Sequence, residues 1–144
     1  MTSTASTGQE DVFYWPVRVY YEDTDAAGVV YYANYLKFFE RARTEWLRAA
    51  GFEQTVLRDE YGVVFVVRSL AIEYAVPARF NDALDVSVAV KETRGSVIEL
   101  AQAVCRDGRP LVTAAVKIAC VNTLSFKPVR IPQPILEKLA TGSA

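Results

Sequence analysis

Beyond Gly62 the chain carries four runs of alternating apolar residues in succession: Val63 to Tyr74, Leu84 to Glu92, Val97 to Arg106 and Leu111 to Asn122. No other feature restricts the fold as much. Alternation is cleanest in the second and fourth runs. Val86, Val88 and Val90 face away from Ser87 and Lys91, and Val112, Ala114, Val116 and Ile118 face away from Thr113 and Lys117. A period of two with one apolar face predicts half-buried strands, and antiparallel sheets are the kind that leave one face to water. Arg94-Gly95-Ser96 and Asp107-Gly108 supply the turns between neighbours. A fifth alternating run precedes them, Trp15 to Glu22, with Val17, Val19 and Tyr21 on one side and Arg18, Tyr20 and Glu22 on the other.

Between the first strand and the other four the period changes. Tyr35, Phe39, Ala42, Trp46 and Ala49 recur at helical spacing, while Lys37, Arg41, Thr44 and Arg48 fall opposite. Asn34 is the expected cap and Gly51 the expected left-handed stop, which gives a helix of about sixteen residues, or roughly 24 Å. A linking segment follows through Tyr61 and Gly62. After Ser125 come Pro128, Pro132 and Pro134, then a short helix expected from Ile135 to Leu139. Residues 1–12 are small and polar without an apolar period, and are expected to form a disordered tail to one domain over 13–144. One long helix against one face of a five-stranded antiparallel sheet is the economical α+β arrangement of these elements. The opposite sheet face and the bare edge strand call for a second copy, so at least a homodimer is expected.

Composition removes several functions. Sixteen Lys and Arg oppose seventeen Asp and Glu, so no positive field draws nucleic acid. No run reaches membrane-spanning length and no signal-peptide pattern opens the chain, so a cytoplasmic protein without an integral membrane segment is expected. Cys105 and Cys120 lie in alternating apolar segments without metal-site spacing and read as buried reduced thiols. There is no histidine. That excludes Ser-His-Asp and Cys-His catalysis and every histidine-ligated metal.

Chemistry concentrates where the first strand meets the helix, from Tyr20 to Tyr35, with Glu22, Asp23 and Asp25 among several tyrosines. A helix start exposes unpaired N–H groups equivalent to roughly half a positive charge, a favourable place for an anion or a polarised carbonyl. A carboxylate there, Asp25, could attack a reactive acyl carbon or deprotonate water, and a thioester is electrophilic enough for either. Amides near Tyr32 and Ala33 could hold the oxyanion. On spacing alone such aspartates more often hydrogen-bond their own turn, the role assigned to Asp23, and tyrosines are more often core or interface residues.

The stretch resembles the signature of the 4-hydroxybenzoyl-CoA thioesterase family, with Arg18-Val19, Thr24-Asp25 and Gly28-Val29-Val30 in its places. Trp15 through Asp25 and Glu40-Arg41-Ala42-Arg43-Thr44-Glu45 look like its YbgC branch, acyl-CoA thioesterases associated with the Tol-Pal system. Val66-Val67-Arg68, Glu73-Tyr74 and Pro77-Ala78-Arg79 extend the likeness, which covers the chain from about Phe13 to Pro128. The resemblance implies a hotdog fold, an antiparallel sheet wrapped around a helix, in dimers that often join into tetramers. It places the essential aspartate at Asp25 and the residue whose backbone N–H polarises the thioester at Tyr32. Many YbgC-branch members carry histidine at that place, so Tyr32 is a departure that removes an imidazole and leaves the backbone role intact. Benzoyl-type members carry Tyr there, which leaves aryl substrates open beside short aliphatic ones.

The implied substrate is an acyl-CoA, with an acyl carrier protein as a further partner and no metal or redox cofactor. Val67, Arg68 and Arg94 are the candidate substrate-binding residues, the two arginines for the CoA phosphates. Hotdog hydratases rely on a histidine that is missing here, and the alternative of another kind is a non-catalytic acyl-thioester or acyl-carrier-protein binding subunit.

Overall fold

A computed structural model describes residues 11–140. Nearly all of the tail expected over 1–12 lies outside them. The elements are β1 (Phe13–Arg18), α1 (Asn34–Ala49), α2 (Gln54–Val56), β2 (Val63–Tyr74), β3 (Ala83–Arg94), β4 (Val97–Arg106), β5 (Arg109–Asn122) and α3 (Gln133–Ala140). The five strands form one antiparallel sheet in the order β1-β3-β4-β5-β2. Its inner face curves around α1, which packs against β1, β3 and β4. This is the hotdog arrangement.

α1 forms where its apolar stripe was expected, and burial of that stripe holds it. Phe38, Phe39 and Ala42 have no exposed surface, and Tyr35 and Trp46 are buried, facing Val86, Val88, Ile98, Leu100 and Val116 of the sheet. Phe38 was not in the stripe read from sequence, and Ala49, which was, is exposed. One polar tie crosses this core. Buried Gln102 of β4 donates from Nε2 to the Phe39 and Ser87 carbonyls, both at 3.2 Å, and its Oε1 accepts the Arg43 guanidinium at 2.9 Å. Every group of the amide thus has a partner, the condition for burying it cheaply. Ser87, expected on the wet side, is buried, and its hydroxyl accepts the Ala103 N–H at 3.0 Å.

Several element ends differ from the sequence expectation by one to four residues, and two of these differences shape the junction ahead of α1. The first strand ends at Arg18, and residues 21–23 turn into a single 3₁₀ coil. Asp23 causes this. Its carboxylate accepts the Tyr20 N–H at 2.9 Å and its carbonyl accepts the Tyr31 N–H at 3.0 Å, so the chain doubles back and Tyr21 ends up exposed. Asn34 does not cap α1 but is its first residue, and its side-chain amide donates to the same Asp23 carbonyl at 2.9 Å. Hydrogen bonding of the turn is thus what Asp23 does.

Beyond α1, the linking segment coils through α2 into a wider π-helical turn at Leu57–Tyr61. It stops at Gly62, whose φ of 67° is the left-handed value that glycine adopts without a Cβ penalty. β2 is an edge strand, and its register slips between Val67 and Ser69, leaving Arg68 as the extra residue of a bulge.

Candidate active site

Residues 23–31 form a small hairpin just ahead of α1. Asp23 pairs with Tyr31, Thr24 bridges Val30, and the Asp25 N–H donates to the Val29 carbonyl at 2.9 Å. The tip closes when the Gly28 N–H meets the Asp25 carbonyl at 3.0 Å, with Gly28 at φ 81°. Asp25 lies at this tip, exposed. Its Oδ1 accepts the Ala27 N–H at 2.8 Å, which fixes the side chain, and among the described residues Oδ2 has no partner.

A loop supports both the hairpin and the helix start. The Ala78 carbonyl accepts the Val30 N–H at 2.8 Å, while the Ala78 N–H donates to the Tyr35 hydroxyl at 2.9 Å. Burial raises the Tyr35 phenol above its ordinary range, and the Ala78 bond offsets part of that. Asp82 anchors the loop in turn. Burial pushes its carboxyl up, but the Arg79 N–H at 2.8 Å and the Arg106 guanidinium at 2.7 Å outweigh this and hold it below the usual carboxylate range.

Tyr32 follows the hairpin, more than half exposed, with its ring against Tyr31 and Tyr74. The Asn34, Tyr35 and Leu36 N–H groups close the first turn onto Tyr31, Tyr32 and Ala33. Among the described residues, the Tyr32 and Ala33 N–H groups meet no acceptor.

The five expected site residues fall in three places. Asp25 and Tyr32 stand on the hairpin and at its exit into α1. Val67 lies in a cleft of about 610 Å³ between α1 and β2, walled by Leu47, Phe52 and Phe65 with Glu40 and Arg43 at its edge. Arg68 and Arg94 share a smaller groove of about 260 Å³ with Lys117, Glu92 and Glu99, where Arg94 is paired to Glu92. Sequence reasoning gave Tyr74 and Ala78 no role, although both lie in the stretches Glu73-Tyr74 and Pro77-Ala78-Arg79 that carry the resemblance. Their contacts reach back across about forty residues, which no local pattern encodes. No group of described residues has the donor set to hold a metal ion, and no described helix is long and apolar enough to cross a membrane.

The family model that matches this chain, over residues 19–139, is that of the thioesterase-like superfamily. The chain belongs to that superfamily. It is 50% identical over 123 residues to an acyl-CoA thioesterase YbgC of Haemophilus influenzae, covering 85% of this chain and 90% of that one. To an acyl-CoA thioester hydrolase YbgC of Escherichia coli it is 45% identical over 126 residues, covering 87% and 93%. Among solved structures, a probable thioesterase from Bartonella henselae superposes with a TM-score of 0.79 at 38% identity, over 84% of this chain and 99% of that one. The resemblance to YbgC read from the junction thus extends through this superfamily member along most of its length.

Proposed function

We propose that this chain hydrolyses acyl-CoA thioesters to a free acid and CoA, with Asp25 as nucleophile or general base and the Tyr32 and Ala33 N–H groups polarising the thioester carbonyl. One observation carries the mechanism: a carboxylate with one oxygen fixed and the other open stands on a hairpin that leads straight into a helix start with two unengaged amides. As nucleophile, the free Oδ2 adds to the acyl carbon, the C–S bond breaks with release of the CoA thiolate, and water cleaves the resulting anhydride. As base, it takes a proton from water, whose oxygen adds instead. Either way negative charge develops on the carbonyl oxygen, where the amides of a helix start act most strongly. The names of the relatives support acyl-CoA as the substrate class.

Val67 lies seven residues from Tyr74 along β2, and with Arg68 bulged out that is about 20 Å at 3.3 Å per residue, so Val67 does not serve the Asp25 of its own chain. Two antiparallel β2 edges paired about Leu70 would bring Val67 of one copy, past the Arg68 bulge, to the Ile72-Glu73 stretch of the other, near Tyr74 and Tyr32. A homodimer built this way, alone or within a homotetramer, completes the site and covers the bare edge.

The test is thiol release from a panel of acyl-CoA thioesters. Turnover is expected, and tight binding without free thiol would instead favour a non-catalytic binding subunit. Acyl-ACP in the same panel tests a carrier protein as substrate. Arg68 and Arg94 are proposed to meet the CoA phosphates. Replacing both with Ala is expected to raise KM for acyl-CoA about three- to tenfold, the scale of exposed charge contacts, while leaving KM for the matching acyl-pantetheine, which lacks the nucleotide, unchanged. Equal changes for both substrates would remove the arginines from phosphate binding.

A further inference from the structure

We infer that Tyr74 is a positioning residue for this reaction: its hydroxyl holds and polarises the Tyr32–Ala33 peptide, whose N–H meets the developing oxyanion. The inference rests on the site reading above and adds a residue to it. Tyr74 closes β2, and its backbone is pinned because the Ala75 and Val76 N–H groups both donate to the Leu111 carbonyl, at 2.9 and 3.0 Å. Its ring stands edge-on to Tyr32, with centroids 6.2 Å apart at 84°, and tilted against Tyr35 at 5.7 Å and 59°. It is therefore wedged between two tyrosines that bracket Ala33.

From this position the Tyr74 hydroxyl reaches the Tyr32 carbonyl at 3.5 Å, an oxygen that also accepts the Tyr35 N–H at 3.4 Å. Both bonds are long beside the usual range of about 2.5–3.0 Å for O–H···O and 2.7–3.2 Å for N–H···O. The neighbouring links of this turn are tighter, Asn34 to Tyr31 at 2.8 Å and Leu36 to Ala33 at 3.2 Å. The Tyr32 carbonyl is thus the loosest acceptor in the turn, and bonds at catalytic groups commonly tighten only when substrate is bound.

A donor on a peptide carbonyl draws electron density onto the oxygen and leaves the N–H of the same peptide, here that of Ala33, a stronger donor. Linked hydrogen bonds strengthen one another by about 10–30%, and one oxyanion donor is worth about 10²–10³ in kcat. That fraction of the effect is about two- to eightfold in rate.

Tyr74→Phe keeps the ring and removes only the oxygen. Steady-state kinetics would compare it with wild type and Asp25→Asn on acyl-CoAs of different acyl length. The expected result is a two- to eightfold fall in kcat, by one factor for every acyl group, with KM within about twofold and the thermal midpoint unchanged. Wild-type kcat overturns the inference. So does a loss that appears in KM or varies with acyl length, which places the ring in the acyl pocket instead. Full turnover by Asp25→Asn removes the underlying site reading and Tyr74 with it. An inactive Asp25→Asn beside an unaltered Tyr74→Phe removes Tyr74 alone.

Discussion

Asp25→Asn is expected to lower acyl-CoA turnover by about 10²-fold or more, the scale of a positioned general base or nucleophile. The substitution isolates charge from architecture. Asp25 Oδ1 accepts the Ala27 N–H at 2.8 Å, and an asparagine Oδ1 keeps that bond, so the hairpin tip and the Gly28 turn survive. What is lost is the negative charge and the acceptor at the second oxygen. Asp25→Ala would remove the turn bond as well and confound the two roles. The measurement is single-turnover thiol release alongside thermal unfolding. Near-normal turnover by the Asn variant, with an unchanged unfolding midpoint, would take Asp25 out of the mechanism and leave it with the turn-forming role that aspartates commonly have.

The largest stability effect is expected at Phe39→Ala. Phe39 has no exposed surface and projects from the middle of α1 into the hollow of the sheet. Truncating a buried Phe removes its transfer free energy and leaves a cavity that the surrounding strands fill only in part, at a cost of about 3–5 kcal/mol. For a domain of this size that lowers the unfolding midpoint by about 10 °C or more at fixed protein concentration. Lys37→Ala, on the exposed side of the same helix, is the control, expected within about 0.5 kcal/mol of wild type. A midpoint shift below about 3 °C for Phe39→Ala would mean that α1 is not the centre of the core.

Much of the fold was legible because the information is local and periodic. β2 and β4 run over the residues their alternation indicated, and α1 covers the length its stripe and Gly51 indicated. Where reading failed, a specific hydrogen bond or the packing of the closed sheet overrode the local pattern. Tyr21 continued the alternation of the first strand, yet Asp23 captures the Tyr20 N–H and the strand ends at Arg18, four residues short of Glu22. Asn34 had the right chemistry for a cap, but its amide found a better acceptor in the Asp23 carbonyl. Ser87 looked like a surface residue because an alternating pattern assigns faces without saying whether the second face is wet.

The candidate site divides along the same line. Asp25, its turn and the helix behind it follow from residues within a dozen positions of one another, so the sequence by itself put a turn carboxylate a few residues ahead of a helix. It also determined, through the missing imidazole, which chemistries were closed. Only the tertiary structure decided that Ala78 supports the hairpin and the helix with one peptide group, that Tyr74 reaches the Tyr32 carbonyl, and that Val67 lines a cleft with Leu47 and Phe52. The reason is physical. Hairpins and helix starts are fixed by hydrogen bonds between near neighbours, whereas contacts between a loop, an edge strand and a helix tip exist only after the sheet has closed around α1.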